Sequence, residues 1–260
     1  LTRPDIELYG GVFGSWDNIA HLQGRATFIE GNLIDPRAAQ ELLAAAQPDW
    51  IFHLAGQAFP PLSWQDPWAT LEINIRAQVN ILHTVAQTKS QPRILVIGSI
   101  DEFGRVPAER MPITEATPLR PDSPYGVSKI AQDFLGLQYF LSHHLPIIRV
   151  RPTNHIGPRQ NEQFVTANFA KQIAEIEAGA RAPVLSVGNL TARRDFVDAR
   201  DMMRAYVLAL ERGEPGEMYN IGSGRVTSIQ EIVDGLVKLS PRPIQVRHDP
   251  ARLRPSDTTV

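Results

Sequence analysis

A tyrosine followed four residues later by a lysine, Tyr125-Gly126-Val127-Ser128-Lys129, is the pair in this sequence best suited to moving a proton. On a helix, positions i and i+4 share a face, which puts the ammonium beside the phenol. There it favours phenolate and draws the tyrosine pKa down from about 10 towards working pH. Such a tyrosine gives a proton to an alkoxide as it forms, or takes one from an alcohol. The competing reading is a surface pair on an amphipathic helix. A serine decides between them. The run RILVIG at 93–98 reads as a strand and delivers Ser99 at its C-terminal end, the edge where open α/β sheets bind ligands. Alone, a serine there forms a turn. With Tyr125 and Lys129 it completes a constellation whose hydroxyl can hydrogen-bond a substrate oxygen.

Composition removes several other chemistries. The chain has 260 residues, 43% apolar and 21% charged, enough for a full core without cross-links. A net charge of −2 lacks the broad basic footprint of a nucleic-acid binder, so no nucleic-acid partner is expected. With no cysteine there is no disulfide, thiolate nucleophile or Cys-ligated zinc. The seven histidines are scattered without the H-E-x-x-H spacing, and no metal is expected. No apolar run reaches membrane length and no signal peptide is visible, so the expectation is a cytoplasmic protein with no membrane partner.

The elements that must position the three residues follow a β-α-β-α-β rhythm. Residues 26–31 (ATFIEG) read as a strand, and Asp35-Pro36 opens a helix. Residues 49–55 read as a strand. Asp66-Pro67 opens a second helix, with Trp68, Leu71, Ile75, Val79 and Leu82 at helical spacing. A helix over 125–142 and a strand over 146–151 follow. Nearly continuous apolar strands predict a doubly wound, Rossmann-like parallel sheet covered on both faces. Downstream, helices are predicted over 162–178 and 199–212 and strands over 183–187 and 217–221. Thr227 and Gln230 form a neutral capping box before a helix ending at Leu239. The rhythm predicts one sheet domain with a smaller C-terminal lobe. A first strand with a glycine-rich turn is absent: Gly10-Gly11-Val12-Phe13-Gly14 and Gly222-Ser223-Gly224 read as simple turns.

Taken together, these segments resemble the extended short-chain dehydrogenase/reductases, the family of sugar-nucleotide epimerases, dehydratases and reductases. The resemblance rests on His53-Leu54-Ala55-Gly56-Gln57-Ala58, Asn74 in Asn-Ile-x-x-x-x-Asn-Ile-Leu, and Gly98-Ser99 through Phe103-Gly104. It continues through Pro124-Tyr125 to Lys129, Arg151-Pro152-Thr153-Asn154, Arg194-Asp195-Phe196, Tyr219-Asn220-Ile221-Gly222 and Arg254-Pro255-Ser256-Asp257. The run Arg-Pro-Thr-Asn-His-Ile-Gly-Pro-Arg-Gln is most like that of GDP-6-deoxy-4-keto-mannose reductases, and GDP-mannose 4,6-dehydratases share parts of it.

The resemblance implies a cofactor-binding domain over 1–152, continued by 197–221, and a substrate lobe over 153–196 and 222–260. It also implies roles. Ser99, Tyr125 and Lys129 match the catalytic triad, with Tyr125 as proton donor and Lys129 also on the nicotinamide ribose. Asn32 and Leu33 stand where the family has an Asp-Leu against adenine. Leu54, Ala55, Gly56, Gln57 and Ala58 match the loop beside the cofactor, and His155 a histidine near the nicotinamide. Asn154, Arg159, Arg194 and Arg254 match the substrate site, where forked guanidinium groups suit a diphosphate. Taken singly, Arg193 and Arg194 also read as a solvated pair, and His155 as a satisfied loop histidine. Arg3 could pair with a 2′-phosphate, which favours NADP(H) over NAD(H). The implied activity is NAD(P)H-dependent reduction of the C4 ketone of a GDP-4-keto-6-deoxy sugar. The alternatives are a GDP-mannose 4,6-dehydratase or nucleotide-sugar 4-epimerase, and a non-catalytic Rossmann-like scaffold. Asp101 takes the place of the dehydratases' glutamate, one methylene shorter. A homodimer through helices 66–89 and 125–142 is also implied, with Leu137 and Phe140 among the apolar positions in excess. The missing first unit implies an interior stretch of a longer protein, so that these residues alone are expected to be poorly soluble or to lack cofactor affinity.

Overall fold

The computed structural model describes residues 18–22, 24–88 and 90–252, together with the main chain of Thr2 and Arg3. In chain order the strands are β1 (Thr2–Arg3), β2 (Ile29–Glu30), β3 (Trp50–His53), β4 (Arg93–Ile97), β5 (Ile147–Pro152), β6 (Asn154–Ile156), β7 (Val184–Val187), β8 (Arg193–Asp198), β9 (Met218–Ile221), β10 (Val226–Ser228) and β11 (Gln245–His248). The helices are α1 (Pro36–Ala46), α2 (Pro60–Gln65), α3 (Pro67–Gln87), α4 (Pro124–His143), α5 (Val165–Glu177), α6 (Ala199–Arg212) and α7 (Ile229–Leu239). Two compact units result. Leu1–Gly104, Ile113–Pro152 and Met203–Ile221 form the first; Arg105–Pro112, Thr153–Met202 and Gly222–Val260 form the second.

The first unit is built on a parallel sheet of order β3-β4-β5-β9. Ile94, Leu95, Val96, Ile147 and Ile148 are fully buried, as strands covered on both faces must be. A second parallel pair, β1-β2, belongs to the same unit, and among the described residues it shares no ladder with the four strands. The sequence rhythm predicts one unbroken sheet; here it is in two pieces. The expected strand over 26–31 shortens to Ile29–Glu30, because only those residues have partners in β1.

Helix starts follow local chemistry. The Asp35, Asp66 and Ser123 side chains each accept a main-chain N–H of the first turn, and each is followed by proline, whose lacking N–H costs nothing there. Helix α2 has no counterpart among the predicted elements. It is six residues long and starts on Pro60-Pro61, whose missing N–H groups cost nothing in a first turn.

The second unit holds a three-stranded sheet of order β10-β8-β6 and a parallel pair β11-β7. Phe169, Ile173, Leu185, Val187, Ile229 and Val233 form its core. The cap of α7 lies one residue later than the sequence reading. Ser228 and Glu231 exchange bonds, the Glu231 N–H donating to Ser228 Oγ at 3.1 Å and the Ser228 N–H to Glu231 Oε2 at 2.7 Å. A carboxylate is a stronger acceptor than the amide of Gln230, so the charged box wins. Strand β8 pairs within the second unit, and the first unit resumes at Met203, later than the expected 197.

Candidate active site

Strand β4 ends at Ile97, and two residues on, Ser99 stands in extended backbone and caps a short 3-10 turn, Ile100–Glu102. Its hydroxyl accepts the Asp101 N–H at 3.2 Å and lies 3.4 Å from Asp101 Oδ2, to which it donates. Helix α4 brings the other two residues. Tyr125 lies in its first turn and Lys129 one turn later, and both are buried. Lys129 Nζ donates to the Ile97 carbonyl at 3.0 Å and sits 5.8 Å from the Tyr125 ring centroid. The structure therefore brings Ser99, Tyr125 and Lys129 together from β4 and α4, within one unit.

The electrostatics correct one sequence expectation. The Tyr125 phenol is pushed up, not down. Burial is the main cause, the Asp101 charge adds to it, and the Ser99 hydrogen bond opposes. Lys129 does not rescue the phenolate, because its ammonium is itself desolvated and is turned to the Ile97 carbonyl. Burial lowers Lys129 to about 8, against the opposing charges of Glu102 and Asp101. At neutral pH the site is thus a protonated phenol beside a serine hydroxyl, with a buried ammonium behind: the phenol is a donor for a carbonyl oxygen, and the serine becomes a second when its hydroxyl turns from Asp101.

The loop after β3 is fixed by Asn74, a residue to which the sequence reading gives no role. From α3, Asn74 accepts the Gln57 N–H at 2.7 Å and donates to the Gln57 carbonyl at 3.2 Å and to Ser128 Oγ at 2.9 Å. Ser128 donates in turn to the Tyr125 carbonyl at 2.7 Å. One buried amide thus ties the 54–58 loop to the first turn of α4, which carries Tyr125. Gln57 is buried and donates to Thr70 Oγ1, while Leu54 and Ala58 are exposed and Ala55 and Gly56 half-buried. A second amide on α3 does similar work for the loop after β2. Asn80 donates to the Leu33 and Ile34 carbonyls at 2.7 and 2.9 Å.

That loop borders a cavity of about 380 Å³ lined by Gly31, Asn32, Leu33, Asp35 and Arg37 among others. Asn32 Oδ1 accepts the Ile34 N–H at 2.9 Å, while Leu33 is buried against Ala39, Ala77 and Ile81. The main chain of Arg3 lies in β1, and its side chain is outside the described residues, as is Arg254. In the second unit, Asn154 and His155 stand exposed on β6. Arg159 has a left-handed φ of 66°, and half-buried Arg194 is on β8, with Nη1 donating to the Arg193 carbonyl at 2.6 Å. Among the described residues no group of three His, Asp or Glu could hold a metal, and no helix is long and apolar enough to cross a membrane.

A parallel sheet with a serine past one strand end, facing a Tyr-x-x-x-Lys helix, defines the extended short-chain dehydrogenase/reductase class. A family model described as GDP-mannose 4,6 dehydratase matches residues 12–254, and the chain belongs to that family. It is 36% identical over 223 residues to a GDP-6-deoxy-D-mannose reductase of Pseudomonas aeruginosa, covering 86% of this chain and 73% of that protein. Among solved structures, RMD from Pseudomonas aeruginosa complexed with NADPH matches with a TM-score of 0.83 at 32% identity, over 96% of this chain and 86% of that one. The UDP-glucose 4-epimerase of Thermus thermophilus in complex with NAD matches with a TM-score of 0.79 at 27% identity, over 90% of this chain and 75% of that one.

Proposed function

We propose that this chain reduces the C4 ketone of a GDP-4-keto-6-deoxy-mannose type nucleotide sugar, using NADPH. The observation that carries the reading is the buried, protonated Tyr125 brought together with Ser99 and Lys129, in a chain 36% identical to a GDP-6-deoxy-D-mannose reductase. When bound, a reduced nicotinamide supplies hydride to C4. Ser99 and Tyr125 donate to the ketone oxygen, and the phenol proton passes to that oxygen as C4 becomes tetrahedral. Lys129 then faces the phenolate until solvent returns its proton.

The residues present fit such a cofactor at its nicotinamide end. Lys129 gives one ammonium hydrogen to Ile97, leaving donors for ribose hydroxyls. Leu54, Ala55, Gly56, Gln57 and Ala58 would lie along it, with His155 near the ring. The cavity at Asn32 and Leu33 falls within the range of about 300–1,000 Å³ of small-molecule sites and suits the adenine end. Arg3 is the basis for preferring NADPH. Asn154, Arg159, Arg194 and Arg254 would hold the diphosphate. A cytoplasmic location is part of the same proposal.

The 4,6-dehydratase reading has one observation in its favour: a carboxylate, Asp101, lies beside Ser99. That carboxylate is one methylene shorter than the dehydratases' glutamate, and a reductase needs no base there. The expected result is stoichiometric NADPH consumption with GDP-4-keto-6-deoxy-mannose and no change in GDP-mannose. Formation of the 4-keto product from GDP-mannose, without net cofactor use, overturns the assignment. Asp101→Asn should be nearly silent in kcat for a reductase and close to lethal for a dehydratase.

A further inference from the structure

Behind Ser99 lies a chain of buried charges that the reaction above does not use. Glu102, the last residue of the turn that Ser99 caps, is fully buried. One of its oxygens accepts the Ser99 main-chain N–H at 2.8 Å, and the other accepts Arg151 Nε at 2.7 Å. Arg151 also donates to Asp133 on α4, which accepts Arg149 Nη1 at 2.6 Å. Two carboxylates and two guanidinium groups offset one another, the condition for burying charge. An ideal Cβ on Gly98 would lie 2.2 Å from Glu102 Oε1, so the glycine leaves room for this contact. Buried ion pairs are weak sources of stability, and apolar residues often replace them without loss. Their presence directly beneath a reacting hydroxyl points to another role.

We propose that Glu102 is a positioning residue: its bond to the Ser99 N–H fixes the serine hydroxyl, and its carboxylate sits at the same strand end that holds the Lys129 ammonium. The surroundings support both halves. The charged and titratable groups around it are Asp133, Lys129 and Tyr125 from α4, Arg151 and Arg149 from β5, and Asp101 from its own turn. Exposed Arg120 meets it through the main chain alone, its N–H donating to the Glu102 carbonyl at 3.1 Å. Burial and then Asp133 raise Glu102 to about 7, against Arg151 and the Ser99 N–H. Of the two charges that oppose the lowering of Lys129, Glu102 is the larger and Asp101 the smaller.

The effect on turnover rests on the reductase reading; the effect on Lys129 does not. Glu102→Gln keeps an acceptor for Ser99 and removes the charge, while Glu102→Leu removes both. In Glu102→Gln of the full-length protein, Lys129 should titrate at lower pH than in the parent. ¹⁵N-lysine NMR reads this directly among four lysines, the signal being assigned by its loss in Lys129→Arg. The alkaline limb of kcat/KM should move to lower pH with it. In Glu102→Leu, kcat should fall about 100-fold with KM nearly unchanged, the scale of a reacting group displaced by about 1 Å. An unshifted Lys129 in Glu102→Gln overturns the proposal, as does a folded Glu102→Leu with parental kcat. Should the leucine variant fail to fold, the Lys129 titration decides. A parent without reductase turnover sinks the reductase reading alone, since that titration still tests Glu102.

Discussion

The Tyr125 phenol stays protonated because it is buried, and burial is what spacing could not reveal. Tyr-x-x-x-Lys is legible in the sequence, but the direction of the phenol's shift depends on desolvation and on Asp101 from a different element. Asn74 and Glu102 are hidden for a similar reason: their partners Ser128 and Arg151 lie 54 and 49 residues away. Tyr125→Phe should leave the fold intact and lower kcat by about 10²–10⁴-fold, the usual worth of general acid catalysis. Near-normal kcat in the folded variant removes the assignment. His53 offers a test of stability. Its Nε2 is buried without a hydrogen-bond partner, and burial, then the Lys129 charge, lowers it to about 4. The unfolded state therefore binds a proton that the folded state resists between about 6.5 and 4, and folding loses up to about 3 kcal/mol as pH falls through that window. Glu102 acts in the opposite sense. Raised to about 7, it is protonated more readily when folded, so its contribution grows as pH falls from 7 towards 4.5. The parent should show little net dependence from the two. His53→Gln should become more stable on acidification relative to the parent, measured by urea melts from about pH 7 to 4.5. Parallel profiles would show that His53 is not the buried titrating group.

Elements are legible where their ends carry punctuation. Asp35-Pro36, Asp66-Pro67 and Ser123-Pro124 mark three helices, because cap acceptor and first-turn proline are local chemistry. Strand β8, Arg-Arg-Asp-Phe-Val-Asp, is not legible, since no apolar alternation marks it; its place comes from pairing with β6 and β10. The Asp195 side chain there accepts the Ser223 and Gly224 N–H groups, a contact that sequence distance conceals. The loop after β3 is an element whose shape can be tested. Gly56 has φ 156°, and a Cβ there would lie 2.7 Å from Asn74 Oδ1. Gly56→Ala should lower stability by about 1–3 kcal/mol, the scale of a strained backbone position. It should also weaken nicotinamide-nucleotide binding, because the displaced loop is the one Asn74 holds. Unchanged denaturant midpoint and unchanged calorimetric affinity would show that neither the glycine nor the Asn74 contact shapes the loop.

At the scale of the molecule, α4 carries more apolar surface than its own unit uses. Val127, Phe134 and Leu141 recur every seven residues on it and are 47%, 50% and 62% exposed. Seven residues are close to two helical turns, so the three share a stripe. Trp64 and Trp68, from α2 and the start of α3, are 47% and 72% exposed. Phe140, expected among the surplus positions, instead packs into the core with Leu82, Val85 and Tyr139. Leu137, also expected in surplus, lies three residues after Phe134 and four before Leu141, on the stripe's side of the helix, and Gln78 Nε2, donating to the Gln132 carbonyl at 2.6 Å, ties α3 to α4. A two-fold dimer would place each stripe against its copy, since an isologous contact is self-complementary. Phe134→Asp combined with Leu141→Asp puts charge at the centre of that contact. Both side chains are half-exposed or more, so the fold should lose within about 0.5 kcal/mol at each site, as surface substitutions do. The parent should sediment as a dimer at micromolar concentration and the double variant as a folded monomer. A monomeric parent, or a double variant that remains dimeric, would place the contact elsewhere.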